Sequence, residues 1–402
     1  MAHLRNYVRL FSLSGELGRR HRPSPAAAPF PATLASIEAY LEETRRRVEQ
    51  ARTDLDGADR EAIVAGNSAC RLWQEGRTGL RRGVLLVHGL ADSPFLMRDL
   101  AEAFHQRGFD VLVMQLPGHG TRPGDLLQTR YQDWVQAVRQ VRALMEREVD
   151  ELYLGGFSTG ALLSLLEAQS RPGIRALLLF SPALRITAMA RMTCPLARMG
   201  RWSPRFAWFD VQPDSDCYRY ESLTNRAICE VDRLIRTWRR GPGREVLRVP
   251  LFVAAAAADV TVDSEATLHW FARQSCAPRR MIYYSAAAGS LPQGVKWMPS
   301  RLPQQRIHDF AHTATALAPS NPHYGAEGDY RACIHYYRLD PARYRRCKAG
   351  EEDCLGEMFR ETPECRIVRR LTYNPHFDAM LADIDDFLDE VKAAGEGRLV
   401  KP

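Results

Sequence analysis

The chain contains no apolar stretch approaching the ~20 residues that a membrane-spanning helix requires, so a soluble protein is expected. Its opening residues, Met1 to Phe11, interrupt their apolar positions with arginine and leave no clean apolar h-region. No secretory signal is therefore expected. A frayed terminus is the simpler reading of that segment, and a short amphipathic helix touching a membrane is the sharper one. A strong charge bias is also missing. The formal charge is +7 and the pI is near 9.0, with arginine dispersed along 402 residues and no nucleic-acid-binding motif. Nucleic acid is a poor partner for such a chain, whereas weak contact with acidic substrates or an anionic lipid surface fits it. No G-x-x-x-x-G-K phosphate loop and no cluster with metal-ligand spacing occurs, so no cofactor and no metal are expected.

There are nine cysteines, an odd number. Four of them, Cys333, Cys347, Cys354 and Cys365, gather near the C-terminal end in a spacing that matches no usual zinc pattern. Disulfides there would call for an oxidising compartment. The missing export signal favours free, partly buried thiols and a cytoplasmic location over a periplasmic or secreted one.

What is present is an ordinary globular composition, 45% hydrophobic and 26% charged, in a length that suits one large α/β domain carrying insertions. The informative segment is Gly156-Phe157-Ser158-Thr159-Gly160, a G-x-S-x-G pattern. It follows the apolar run Leu152-Tyr153-Leu154 and precedes the helix-like stretch Ala161 to Ala168. That is the strand–turn–helix setting in which a serine hydroxyl stands exposed on a tight, strained turn. The glycines belong there because a Cβ would clash where strand and helix approach closely.

Around this turn the chain alternates between apolar runs and helical periodicity. Residues 1–32 read as an Arg- and Pro-rich arm, irregular from His21 to Pro31. Leu34, Ile37, Leu41 and Val48 mark one stripe of a helix that packs on the main domain or, less simply, binds a partner. Strands are expected at Val84–Val87, Val111–Met114, Leu152–Leu154 and Ala176–Phe180, with helices over Phe95–Gln106 and Tyr131–Arg147. Continuous apolar runs separated by helices indicate a mostly parallel sheet covered on both faces. After Pro182 the rhythm breaks. Leu184 to Gly243 is rich in aromatics, including Trp202, Phe206, Trp208, Phe209, Tyr218, Tyr220 and Trp238, and the strand pattern resumes at Pro250–Val253. An insertion there would lie over the carboxyl ends of the strands, where ligands bind, and reads as a cap whose aromatics mainly form its own core.

Serine is protonated at neutral pH and needs a base and oxyanion donors. His88-Gly89-Leu90 directly follows the first strong strand, so the backbone N–H groups of Leu90 and Thr159 are the expected oxyanion donors. His88 itself reads as a residue that orders the loop.

Three segments, Leu86-Val87-His88-Gly89-Leu90-Ala91-Asp92-Ser93-Pro94, then Leu116-Pro117-Gly118-His119-Gly120, then Gly156-Phe157-Ser158-Thr159-Gly160, resemble the successive signatures of the α/β-hydrolase superfamily. Order and separation resemble the branch that holds bacterial carboxylesterases, monoacylglycerol lipases and lysophospholipases. The resemblance covers residues 80–275, is weak before them and atypical after about residue 285. It implies an α/β-hydrolase fold, a mostly parallel sheet with helices on both faces, a cap insertion and a C-terminal insertion. The regions expected are an arm and helix (1–79), the first half of the core (80–183), the cap (184–245), and the second half (246–402) interrupted at about 286–370. His119 falls on a turn that is structural in that superfamily.

The acid of the superfamily follows the next-to-last core strand, and Pro250 to Asp263 resembles that segment with an alanine run where a glycine is usual. Asp259 is favoured; Asp263 is the reserve and could instead cap the helix that begins near Ser264. The order Ser, acid, His leaves His269, His308, His312, His323, His335 and His376. His269 comes too early. Met281–Tyr284 could be the last strand, yet no histidine follows promptly. Arg306 to Thr313 resembles a delayed strand end with His312 in the catalytic place; His376, before the helix-like Phe377 to Val391, and His323 are the alternatives. The expected activity is hydrolysis of carboxylic esters, lipid-like or with a small apolar acyl part, through Ser158, His312 and Asp259. An acyltransferase, a peptidase or a non-catalytic binding protein could use the same fold.

Overall fold

The computed structural model describes residues 16–31, 33–76, 78–186 and 190–399. The amphipathic reading of Met1 to Phe11 falls outside them. In chain order the strands are β1 (Cys70–Leu72), β2 (Arg82–Val87), β3 (Asp110–Met114), β4 (Glu151–Phe157), β5 (Ile174–Phe180), β6 (Trp208–Asp210), β7 (Leu223–Thr224), β8 (Leu251–Ala256), β9 (Arg279–Ser285), β10 (Val295–Pro299), β11 (Cys354–Gly356) and β12 (Val368–Arg370).

Eight of these form one sheet in the order β1-β3-β2-β4-β5-β8-β9-β10. Only β1 runs antiparallel, against β3; every other pair is parallel. The fold is therefore an α/β-hydrolase fold, with the strand order reversing beside the Ser158 turn. Strands β2, β4, β5 and β8 are buried along nearly their whole length, as continuous Val/Leu/Ile/Phe runs require when both faces are covered. One apolar core lies on each face. Leu85, Leu154, Leu177 and Val253 pack with the helices Tyr131–Met145 and Thr159–Ser170. Leu86, Phe180 and Phe252 pack with Phe104 and with Phe387 of the closing helix Phe377–Leu399.

Two expectations about the second half of the sheet need correction. The last strand is β10, parallel to β9, so Met281–Tyr284 is not the edge. Arg306 to Thr313 is not a strand end. Ile307 makes only isolated bridges to Leu302 and Leu355, and His312 opens a 3-10 turn over His312–Thr315. With β10 already hydrogen-bonded to β9, that segment pairs its backbone with Leu302 and Leu355 and is held by side chains as well. Asp309, for example, accepts the Glu357 N–H.

The free-thiol reading of the cysteines is also overturned. Cys333 pairs with Cys347 and Cys354 with Cys365, at Cα–Cα separations of 5.9 and 5.5 Å, and Cys194 pairs with Cys229. These separations lie in the range that a disulfide spans. The tail folds back on itself, so cysteines with no shared helix or strand period meet. Cys70, Cys217 and Cys276 stay free.

The arm from Gly18 is packed rather than loose. Ser24 donates both its N–H and its hydroxyl to the buried carboxylate of Asp125, and Phe30 stacks edge-on against Tyr40. The helix Ile37–Ala51 lays its buried face on the main domain. Between β5 and β8, helices Ala190–Met199 and Asn225–Arg240 are tied by the Cys194–Cys229 bridge. The aromatics here divide their work. Trp208 joins Ala207 and Val211 in a small cluster, Trp238 and Tyr220 pack into the main core, and Trp202 stands exposed. No described helix is long and apolar enough to cross a membrane.

Candidate active site

Ser158 sits between β4 and the helix Thr159–Ser170 with φ 55° and ψ −115°. That left-handed backbone on a non-glycine residue is strained and persists only where its surroundings enforce it. They do so here. The Ser158 N–H donates to Phe180 O at 2.9 Å, and its carbonyl accepts from Ala183 N. A Cβ at Gly156 would lie 2.5 Å from the Gly160 carbonyl carbon, and one at Gly160 would lie 2.1 Å from Val87 O. Both glycines are thus set by close backbone approach.

His312 reaches this turn from the far C-terminal half. Its Nε2 lies 2.9 Å from Ser158 Oγ, and its Nδ1 lies 2.6 Å from Asp259 Oδ2. Asp259 follows β8, and its other oxygen accepts the N–H groups of Thr261 and Val262 at 2.7 and 2.9 Å. An ionised carboxylate only accepts, so Nδ1 carries the proton and Nε2 is left as the acceptor toward the serine. The ring is buried and rests against Phe157.

The other candidates are elsewhere. Asp263 caps the helix Ser264–Ala272 through the Ala266 N–H. His269 lies inside that helix. His376 stacks on Phe310 and Tyr284 and contacts Pro299 O. His323 is held between Asp216 and Asp329. His88 accepts the Leu116 N–H at 3.1 Å, and burial pushes its ring down to about 4, so it stays neutral. His119 behaves alike, pushed to about 3 mainly by burial.

Ser158, His312, Leu90 and Thr159 share the wall of a cavity of about 380 Å³. Among the described residues the N–H groups of Leu90 and Thr159 have no partner within the chain, which leaves both to a ligand. The insertion contributes Ile186, Phe209, Ile228 and Val231 to the wall. The C-terminal tail contributes Tyr330, His335, Met358 and Phe359, a role that no sequence signal announced.

Glu357 was also invisible in the sequence. It is fully buried, and its carboxylate accepts the His312 N–H at 2.9 Å and the Arg370 Nε–H at 2.8 Å, with Val260 N 3.4 Å away. Arg370 in turn donates to Thr261 Oγ1 at 3.0 Å. One ion pair thereby ties the His312 backbone to the Asp259 loop. Asp216, Cys217 and His323 could offer a metal three ligand atoms within 4.8 Å of one another. They lie outside the cavity wall, and Asp216 already accepts the Tyr324 hydroxyl and the Tyr218 N–H.

The profile of the family described as serine aminopeptidase, S33, matches residues 79–288, just over half of the chain. A thermostable monoacylglycerol lipase of Bacillus sp. (strain H-257) is 29% identical over 43% of this chain and 69% of its own length. The phospholipase YtpA of Bacillus subtilis (strain 168) is 22% identical over 47% of this chain and 80% of its own. A solved monoacylglycerol lipase of Paleococcus ferrophilus is 20% identical, covering 54% of this chain and 87% of that one at a TM-score of 0.43. With more than half its length in the family profile, the chain belongs to the S33 family of α/β-hydrolase-fold serine hydrolases.

Proposed function

We propose that this chain, a carboxylic ester hydrolase of the α/β-hydrolase superfamily, cleaves esters with an apolar acyl part through an acyl-enzyme on Ser158. The observation that carries the reading is the single imidazole of His312 lying between Ser158 Oγ and the Asp259 carboxylate. His312 Nε2 takes the serine proton as Oγ attacks the ester carbonyl. The N–H groups of Leu90 and Thr159 hold the resulting oxyanion. The imidazolium, steadied by Asp259, then protonates the departing alcohol, and water repeats the sequence to release the acid. Apolar residues such as Leu90, Phe157, Ile186, Ile228 and Val231 suit an acyl chain.

An aminopeptidase would need a carboxylate to hold a substrate ammonium. The carboxylates on the cavity wall are already engaged, Asp92 with Arg219, Asp210 with Arg338 and Glu221 with the Tyr330 hydroxyl. That favours esters over peptides. The three disulfides further support an oxidising compartment in place of the cytoplasmic expectation.

A fluorophosphonate probe tests the reading. The wild type is expected to label, and Ser158→Ala is expected not to. Turnover of a p-nitrophenyl ester should fall by at least about 10⁴-fold in Ser158→Ala and in His312→Ala. A wild type that takes no label, or a mutant that labels equally, removes the proposal.

A further inference from the structure

The two expected oxyanion donors are held by different means. The Thr159 N–H opens the helix Thr159–Ser170 and is fixed by the Ser158 turn itself. The Leu90 N–H belongs to a loop, Gly89 to Asp92, which the Asp92 N–H closes only loosely onto Gly89 O at 3.4 Å. Ala91, the next residue, has φ 62°. That is left-handed backbone on a residue with a Cβ, so it persists only where its surroundings enforce it.

Three consecutive residues of the insertion after β5 supply that enforcement. The Tyr220 N–H donates to Ala91 O at 2.8 Å. Arg219 Nε donates to Asp92 Oδ1 at 2.6 Å, and the Asp92 carboxylate is 3% exposed. The Tyr218 ring stacks parallel on Phe95 with centroids 3.8 Å apart. Tyr218, Arg219 and Tyr220 thus grip Phe95, Asp92 and Ala91 in turn. A Cβ on Gly89 would lie 2.5 Å from Asp92 Oδ2 and 3.2 Å from Ser158 Cβ. The loop is therefore packed between the Asp92 carboxylate and the nucleophile, and a shift of that carboxylate passes to the Leu90 N–H.

The gripping residues are themselves anchored. Asp216 accepts the Tyr218 N–H at 2.9 Å and, with both oxygens, the hydroxyl of Tyr324 in the tail. The Cys217 carbonyl accepts Asn67 Nδ2 at 2.9 Å, and the Tyr220 hydroxyl accepts the Thr121 N–H at 2.8 Å. Desolvation offsets much of the attraction in a buried ion pair. What the Arg219–Asp92 pair supplies is a fixed place for the loop, because a charge-assisted hydrogen bond is short and directional.

Resting on the ester-hydrolase reading, we propose that Tyr218 to Tyr220 form a strap that holds the oxyanion donor Leu90 in place, with Arg219 as a positioning residue acting through Asp92. The insertion then serves the transition state as well as lining the cavity. A displaced donor loses most of its worth to a developing oxyanion and little to a neutral ester, so the strap is felt in kcat rather than in KM.

Arg219→Met keeps the reach of the side chain and removes the guanidinium, and Asp92→Asn alters its partner. With a p-nitrophenyl ester, each is expected to lower kcat by about tenfold to a hundredfold with KM within a few-fold. Inhibition by an alkyl trifluoromethyl ketone, whose hemiketal with Ser158 puts an oxyanion in the hole, should weaken by about the same factor. The double variant leaves no lone buried charge and should lose no more than the worse single variant, since both remove one contact. Amide hydrogen exchange needs no turnover. It should be faster over residues 86–95 in the folded double variant, with β4 unchanged. A KM that rises at constant kcat would make Arg219 a substrate contact and overturn the strap. So would losses that add in the double variant, a double variant with wild-type kcat, or unchanged exchange over 86–95. Faster exchange there, with no ester turnover by the wild type, would keep the strap and remove the ester-hydrolase reading.

Discussion

Ser158 holds a backbone geometry with φ 55° that only its neighbours make affordable, and the groups around it are placed by equally local means. Asp259 is fixed by two backbone N–H groups two and three residues ahead. His312 is different, because its backbone is anchored by a carboxylate 45 residues further on, that of Glu357. Glu357 does not itself line the cavity and acts through His312, so it is a positioning residue. Glu357→Gln keeps the size of the side chain and weakens the pairing with Arg370. The expected result is a kcat lowered by about tenfold or more with KM nearly constant, since a small displacement of a base is felt in the transition state. His376→Ala serves as the comparison. His376 contacts Pro299 O and two aromatic rings but not Ser158, so its removal should leave the kcat of a folded protein within a few-fold. Steady-state kinetics on p-nitrophenyl esters reads both, and a kcat loss at His376 exceeding that at Glu357 contradicts the assignment.

At the scale of elements, the apolar runs and the glycine-bearing turn made β2 to β5 and β8 legible, because a buried parallel strand leaves a continuous Val/Leu/Ile signature. The Asp263 cap and the closing helix after Phe377 were legible for similar local reasons. What was not legible is held by contacts between distant residues. The pairing of β10 with β9, the Glu357–Arg370 bridge and the disulfides have no periodic signal. The short ladder of β11 and β12 is the element most exposed to redox chemistry. Glu357 directly follows β11 and Arg370 ends β12, while the Cys354–Cys365 bridge closes the same unit. Counting thiols in denatured, unreduced protein should give three, those of Cys70, Cys217 and Cys276, and nine after reduction. Reduction should cost about 2–4 kcal/mol per bridge in stability, on the entropy of closing a short loop. It should also lower kcat where Ser158 still labels, because the ladder bearing the His312 anchor is loosened. Nine thiols before reduction would return the cysteines to the free state.

For the whole molecule, the proton balance of the buried histidines sets how it meets acid. Burial pushes His88 to about 4 and His119 and His335 to about 3 in the folded protein, against about 6.5 for an unfolded chain. Between those limits the unfolded state binds more protons, so stability is lost as pH falls through 6.5. His323 opposes this. Burial lowers it, but the carboxylates of Asp216 and Asp329 prevail and raise it, so it stabilises the fold most at low pH. The buried carboxylates of Asp99, Asp125, Asp210, Glu221 and Asp309 are raised by burial and also oppose it. Counting the four histidines alone, the three lowered ones outweigh His323 near pH 6, and the unfolded state binds about two protons more. The unfolding free energy should therefore fall between pH 6.5 and 5.5, by at most about 2–3 kcal/mol per pH unit, the carboxylates reducing the fall. Guanidinium unfolding at half-unit intervals from pH 7.5 to 4.5 measures this directly. A free energy that rises between pH 6.5 and 5.5 would contradict this balance and mean that the raised groups, His323 and the buried carboxylates, outweigh the three lowered histidines.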